Sequence, residues 1–321
     1  MPESVGGSVY RSGMDLTSVQ QRTLDELMRK DPLPVFERDL VGDLRADLER
    51  RLAPLDDVIR EGDSVWITKA RLTAIHGRCE GLFLAQHFGE GVFELSHQLA
   101  LGSLTHTSVE VSVYAGDLSD AELVDRSLEK LRRDDPGFDD YCRRVGEADL
   151  AMLQADAVER VLQFRSTFPP LRKEWSPAVE VSLKASLLGD RVVLSARPDL
   201  MLGGADPDEP MRARRLILEL KTGGAWPDQD EDVRFYALVA ALRLGVPPFR
   251  VATVMLDDGG WRVQDVTPDL LESAVRRVGD AYARAADLLA DAEPRLTPGA
   301  WCRWCPRAEI CPEATLTIAE G

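Results

Sequence analysis

A polar turn, Gly203-Gly204-Ala205-Asp206-Pro207-Asp208-Glu209-Pro210, separates two apolar segments and limits the fold more than any other stretch of the chain. Glycine, proline and aspartate at this density end regular structure. The segments on either side, Arg191–Leu202 and Arg214–Thr222, have the apolar, β-branched character of strands. Positions 199 and 219 are symmetric about 209, inside the turn. A simple hairpin therefore sets Asp199 nearly opposite Glu219, with their Cβ atoms about 5 Å apart. Two like charges so placed are unfavourable unless a cation holds them. Mg²⁺ or Mn²⁺ suits that role, because both prefer carboxylate, carbonyl and water oxygens. Strand alternation puts Lys221 on the same face as Glu219. Leu220 faces the core, while its backbone carbonyl stays within reach of a metal. A lysine beside metal-bound carboxylates can orient an attacking water and stabilise charge on a phosphate. Together these side chains would support phosphodiester hydrolysis. Glu-x-Lys alone is an ordinary surface pair. The apolar run Leu216–Leu220, Pro198 before Asp199, and Thr222-Gly223 after Lys221 distinguish it here.

The rest of the chain frames this hairpin. Val41–Ile59, Trp66–Phe88, Phe93–Tyr114, Leu123–Arg133 and Gly146–Phe164 carry helical or strand–helix periodicity, so the first half is expected to be mainly α. After Pro169-Pro170 the character changes. Ala178–Leu188 and Arg191–Leu202 read as strands joined at Gly189-Asp190. Asp228–Leu244 reads as a helix with Phe235, Leu238, Val239 and Leu242 on one face, ended by Gly245 and Pro247. Phe249–Leu256 and Trp261–Val266 flank Asp257-Asp258-Gly259-Gly260 as a second hairpin. Thr267-Pro268-Asp269 opens a helix expected to run to about Ala292. The reading divides the chain into a helical extension (1–65), a helical region (66–175), a core (176–295) and a cysteine-rich tail (296–321).

No apolar run is long enough to span a membrane, and the first residues lack an apolar signal core, so the expected location is the cytoplasm. The formal net charge of −16 argues against a broadly basic nucleic-acid coat, though a local basic groove is compatible with it. Only six of the 39 basic residues are lysine, so a lysine at a chemically special position carries extra information.

Cys302-x2-Cys305-x5-Cys311 closes the chain. In a cytosolic protein, cysteines this close point to a metal site, which needs a fourth ligand. Cys79 and Cys142 are the candidates. On spacing alone zinc is a rival, although zinc sites usually pair two short knuckles. Arg303, Trp304 and Arg307 interleave with the cysteines in a pattern that suits single strands, or that shields the tail from solvent.

Pro198-Asp199 with Glu219-Leu220-Lys221 resembles the motif of the PD-(D/E)XK nuclease superfamily, in its RecB-like branch. The resemblance implies an α/β fold with a restriction-endonuclease-like core, a mixed central sheet flanked by helices, a mainly helical N-terminal half and a C-terminal cysteine cluster. Gly102-Ser103-Leu104-Thr105-His106 matches the family's Gly-x-x-x-His, with Glu110 one turn later. It implies that His106 joins Asp199, Glu219 and the Leu220 carbonyl as metal ligands, with Asp199, Glu219, Lys221 and His106 catalytic. The family also has a glutamine followed by an aromatic on the next helix. Tyr236 matches the aromatic, Asp232 stands where glutamine is expected, and Gln229 lies one turn earlier. Tyr236, Arg234 and Gln229 are the expected substrate contacts. The sequence around Cys79 resembles the first-cysteine helix of cluster-bearing relatives, the CRISPR-associated exonucleases and AddB-type helicase–nucleases. That resemblance implies a [4Fe–4S] cluster on Cys79, Cys302, Cys305 and Cys311, with Zn²⁺ the alternative, and leaves Cys142 as a partly buried thiol. The expected substrate is DNA, as single strands or ends. No Gly-x4-Gly-Lys-Ser/Thr motif is present, so unwinding would come from a helicase partner. The alternative reading is a binding or scaffold protein that keeps the fold without turnover.

Overall fold

The computed structural model describes residues 16–91, 95–223 and 229–314. Phe93 and Asp228, the first residues of two expected elements, lie outside them. The elements are α1 (Ser18–Arg22, running into a π-helical turn, Thr23–Met28), α2 (Leu40–Asp56), β1 (Val65–Ile67), α3 (Lys69–Gly77), α4 (Glu80–Phe88), α5 (His97–Tyr114), α6 (Asp120–Asp134), α7 (Pro136–Arg144) and α8 (Glu147–Thr167). Then follow β2 (Ala178–Val179), β3 (Leu183–Leu187), β4 (Val192–Ala196), β5 (Leu200–Leu202), β6 (Leu216–Lys221), α9 (Gln229–Leu244), β7 (Arg250–Met255), β8 (Trp261–Asp265) and α10 (Pro268–Leu289). None of the helices described is long and apolar enough to cross a membrane.

The strands form two sheets. Five strands run in the order β2-β5-β6-β7-β8, and three in the order β1-β4-β3. β6 and β7 are parallel, joined over the sheet by α9, while β5–β6 and β7–β8 are antiparallel. The two long strands expected between 178 and 202 are therefore corrected. Each is cut in two, and the halves belong to different sheets. In the second segment the cut falls at Arg197-Pro198-Asp199. Pro198 has no N–H to give a ladder and biases the residue before it, so pairing stops there. In the first segment the cut follows Glu180, which takes a left-handed φ of 50°. The two crossings meet, because the Glu180 N–H donates to the Asp199 carbonyl at 3.0 Å.

α9 sits against both sheets, α2 and α10. Its expected apolar face is buried, and Ala237, Ala240 and Ala241 are buried with it, so the helix is enclosed along most of its length. A second apolar cluster lies among α5, α6, α7 and α8, around Leu104, Leu123, Phe138, Leu153 and Val161. α7 has no counterpart among the expected elements. It is short, but Asp135 caps it by accepting from Gly137 and Phe138 N–H, with Pro136 at its first position. Cys142 is buried in this second cluster.

The tail is tied down by one carboxylate. Glu80, at the start of α4, is 3% exposed. It accepts from Arg284 Nε (2.9 Å), Arg295 N (2.7 Å) and Arg295 Nε (3.0 Å), and its own N–H donates to the Arg295 carbonyl. Arg284 belongs to α10, so Glu80 pins the segment after α10 beside Cys79. The Arg284 hydrogen bond and the Arg295 backbone and side-chain bonds outweigh burial and hold the Glu80 carboxyl at about 2. A group with a depressed pKa contributes its stability above its ordinary value and loses it as pH falls through the folded one. Glu80→Gln is expected to destabilise the protein by about 2 kcal/mol at neutral pH. The deficit should shrink as pH falls from about 4.5 toward 2, as urea unfolding across that range would measure.

Candidate functional site

The β5–β6 register pairs Leu200 with Leu218 and Leu202 with Leu216. Continued one residue outward, it sets Asp199 against Glu219. The turn that enforces it begins at Gly203, whose φ is +87° and where a Cβ would lie 2.0 Å from the Arg214 carbonyl oxygen. Only glycine fits there.

Each carboxylate is held from two sides. Asp199 Oδ2 accepts the Leu220 N–H at 2.6 Å, and Oδ1 meets His106 Nδ1 at 3.0 Å. His106 arrives from α5. A Cβ at Gly102, one turn earlier, would lie 3.3 Å from Thr222 Oγ1, so the glycine lets α5 approach the end of β6. Glu219 is 2% exposed. Its Oε1 binds Lys221 Nζ at 2.7 Å and also Lys69 Nζ, from the first turn of α3. Its Oε2 is buried with no hydrogen-bond partner. Lys221 Nζ lies 3.3 Å from Asp232, so the residue that departs from the family pattern reaches the same lysine. Tyr236 lies 5.2 Å beneath the Lys69 ammonium and is buried with its phenol beside the Glu219 carboxylate.

The electrostatics follow from this crowding. Burial works against a charged Asp199, but the His106 charge and hydrogen bond, Lys69 and the Leu220 N–H outweigh it and hold the carboxyl at about 2. Burial likewise opposes an imidazolium, yet Asp199, Glu219 and Glu180 together raise the His106 pKa above its ordinary value. Burial and then the neighbouring carboxylates push the Tyr236 phenol up, so it stays protonated.

Two members of the group were not anticipated from the sequence. Glu180, at the crossing after β2, brings a carboxylate oxygen within 4.8 Å of donor atoms of both His106 and Asp199. Burial and the Asp199 charge raise its pKa, and Arg197 pairs with it at 2.6 Å. No local signal marks Glu180, since the kink that delivers it is a tertiary event. Lys69 carried a signal in the scarcity of lysine and in Thr68, which caps α3 by accepting from Arg71 N–H. Of the expected substrate contacts, Tyr236 reaches the carboxylates. Gln229 instead accepts from Arg262, and Arg234 turns to Gln264 and Glu231.

The PD-(D/E)XK nuclease superfamily model matches residues 77–312, most of the chain, and spans both halves of this geometry. The chain belongs to the PD-(D/E)XK nuclease superfamily. Its mixed sheets flanked by helices are the restriction-endonuclease-like arrangement of that superfamily, whose enzymes hydrolyse phosphodiester bonds. Among solved structures, a candidate exonuclease of Eubacterium rectale is similar at 15% identity, over 78% of this chain and 87% of its own, with a TM-score of 0.47. SSO0001 is similar at 12% identity, over 84% of this chain and 96% of its own, with a TM-score of 0.33. No curated protein matches the chain.

The superfamily's divalent ion fits these residues. An imidazole and two hard carboxylate oxygens, from His106, Glu180 and Asp199, converge within 4.8 Å, and beside that trio, though outside it, Glu219 Oε2 is buried without a hydrogen-bond partner. The cysteines form a second candidate centre. Cys79, Cys302, Cys305 and Cys311 line one cavity of about 220 Å³ with Leu296 and Trp301. Burial, with the charges of the other three sulfurs, raises the Cys305 pKa, a penalty that a cationic centre would remove. The Gly299 N–H lies 3.4 Å from Cys302 Sγ. Trp301 lines this cavity, whereas Trp304 is 52% exposed. Cys142 is not part of it.

Lys69 sits on the carboxylate that a metal would need. Removing that competing charge by Lys69→Met is expected to tighten Mn²⁺ binding about tenfold in calorimetric titration. Unchanged or weaker binding would show that Lys69 does not compete for Glu219.

Proposed function

We propose that this chain is a RecB-branch, metal-dependent DNA nuclease that acts as an exonuclease on single strands or ends, in the cytoplasm, with a helicase partner where unwinding is needed. The observation that supports it most is the convergence of His106, Asp199, Glu219 and Lys221 around a buried, unpartnered carboxylate oxygen. Most buried polar atoms are paired, and a bare carboxylate oxygen among possible ligands is a natural seat for a cation.

His106, Asp199, Glu219 and the Leu220 carbonyl would hold Mg²⁺ or Mn²⁺, with Glu180 close enough to contribute. The ion would supply Lewis-acid polarisation of the phosphoryl group and a lowered pKa for water. Asp199, fixed by the Leu220 N–H, keeps its charge across the whole working pH range. Lys221, braced between Glu219 and Asp232, orients the attacking water with its ammonium held in one place. In the hydrolysis a water oxygen bonds to phosphorus, the P–O bond to the leaving sugar oxygen breaks, the water proton passes to solvent, and the leaving oxygen takes up a proton from solvent to become a hydroxyl. Lys69, released from Glu219 when the ion enters, would face the charge that builds on the phosphate. Tyr236 supports this floor from beneath rather than contacting substrate.

The four gathered cysteines would hold a [4Fe–4S] cluster with a structural role, since hydrolysis moves no electrons. The cluster would join the tail to α4 at the point where Glu80 already brings them together.

Two measurements test the proposal. Cleavage of single- and double-stranded DNA with Mn²⁺ or Mg²⁺ should be lost in EDTA, and Lys221→Ala should lower kcat about a hundredfold or more; equal activity in the two proteins would defeat the assignment. Anaerobically purified protein should contain about four iron atoms with matching sulfide. Cys79→Ser should lose them and Cys142→Ser keep them, whereas zinc in place of iron would overturn the cluster.

A further inference from the structure

Among the described residues, β6 beyond Leu218 has a ladder partner on one side only. The β5 ladder ends where Leu200 pairs with Leu218, while the parallel β7 ladder continues until Lys221 pairs with Met255. Strand ends with few ladder partners open at low free energy, yet this one carries Glu219 and Lys221. Two hydrogen bonds hold its end. The Leu256 N–H donates to the Lys221 carbonyl at 2.9 Å, and the Gly223 N–H donates to Asp257 Oδ2 at 2.6 Å. Asp257 lies in the turn between β7 and β8, so its side chain reaches across to the neighbouring strand.

The other oxygen of Asp257 faces the helices. Arg160 Nη2, from α8, lies 2.8 Å from Asp257 Oδ1. Arg160 is itself fixed, because its Nη1 donates to the Asp156 carbonyl at 2.9 Å and the side chain is largely covered. The turn comes so close to α8 that a Cβ at Gly259 would lie 2.6 Å from Thr167 Oγ1. α8 shares the second apolar cluster with α5, which carries His106. One carboxylate therefore joins the strand that bears Glu219 and Lys221 to the helical unit that bears His106. Both of its contacts are charge-assisted, the stronger kind of hydrogen bond.

We propose that Asp257 is a positioning residue: by holding Gly223 with one oxygen and Arg160 with the other, it sets the Lys221 ammonium in register with the carboxylates and His106. This rests on the nuclease reading above, to which it adds a residue that acts only through another. A misplacement of about 1 Å in a group that orients the nucleophile costs on the order of a hundredfold in rate, so the end of β6 needs a fixed anchor. Aspartate suits the position because the two partners approach different oxygens. Asparagine would keep an acceptor for the Gly223 N–H but offer Arg160 no charge.

The test is a double-mutant cycle on cleavage of single-stranded DNA with Mn²⁺, read beside amide hydrogen exchange of the metal-free protein. Asp257→Ala should lower kcat about tenfold to a hundredfold, with KM and Mn²⁺ affinity near their wild-type values. Asp257→Asn should recover part of that loss. In a Lys221→Ala background, Asp257→Ala should lower kcat by less than about twofold further, because the two act as a unit. Exchange at the Gly223 and Leu256 amides should quicken about tenfold or more in Asp257→Ala. If that variant folds poorly, Arg160→Met removes only the α8 side of the joint and should show the same coupling to Lys221. Fully additive losses, a loss confined to KM, or unchanged exchange would overturn the proposal. Exchange that quickens as expected in a chain whose wild type cleaves nothing would sink the nuclease reading and leave Asp257 as the anchor of this strand end.

Discussion

Two carboxylates forced side by side beneath the surface govern the site. The antiparallel register that pairs Leu200 with Leu218 leaves Asp199 and Glu219 no other arrangement. In low dielectric their repulsion is severe unless each has a cation. Asp199 takes His106 and a backbone N–H, while Glu219 takes two lysines on one oxygen and nothing on the other. Elements distant in sequence are recruited to supply those cations. α3 delivers Lys69, α5 delivers His106, and α9 places Asp232 behind Lys221. The helices flanking the sheets are thus tied to the chemistry by charge as well as by apolar packing.

The cysteine centre is organised by a similar compensation at a different place. Glu80 would be costly to bury alone, but two arginines and a backbone N–H converge on it. One of those arginines lies just ahead of the tail, so satisfying the charge also chooses where Cys302, Cys305 and Cys311 end up. The four thiols then meet in a cavity that Leu296 and Trp301 partly close. A salt bridge thereby helps to place a separate set of thiols.

Local features of the sequence made the hairpin and its register legible, because a turn rich in glycine and proline fixes a symmetry that strand pairing must obey. The pairing of Lys221 with Glu219 followed from alternation alone. Elements with strong periodicity or caps, such as α8 and α10, also matched their expected spans closely. Less legible was the division of residues 178–202 between two sheets. The segments look continuous in composition, and only Pro198 hints that the ladder changes partner. Glu180 enters the site through that division, so it could not be seen without the fold. The reading of Gln229 as a stand-in for the family glutamine relied on helical phase, whereas its actual direction is decided by Arg262 on a neighbouring strand.

The acidity of the chain looks different once its basic residues are placed. Many arginines are committed to fixed pairs, as with Arg191 and Asp56, Arg212 and Asp206, or Arg284 and Glu80. A planar guanidinium suits such pairs because its fork matches a carboxylate and holds it still. Three of the six lysines fall elsewhere. Lys69 and Lys221 reach Glu219 in the carboxylate site, and Lys130 pairs with Glu110, one helical turn beyond His106. An ammonium is a compact charge on a flexible stem, able to leave one anion for another, which is what a site must do if a metal and a phosphate are to enter where a lysine now sits. At physiological salt, charges more than about 8 Å away are largely screened. A net excess of carboxylates across the surface therefore weighs less on an approaching phosphate than the cations in its immediate path.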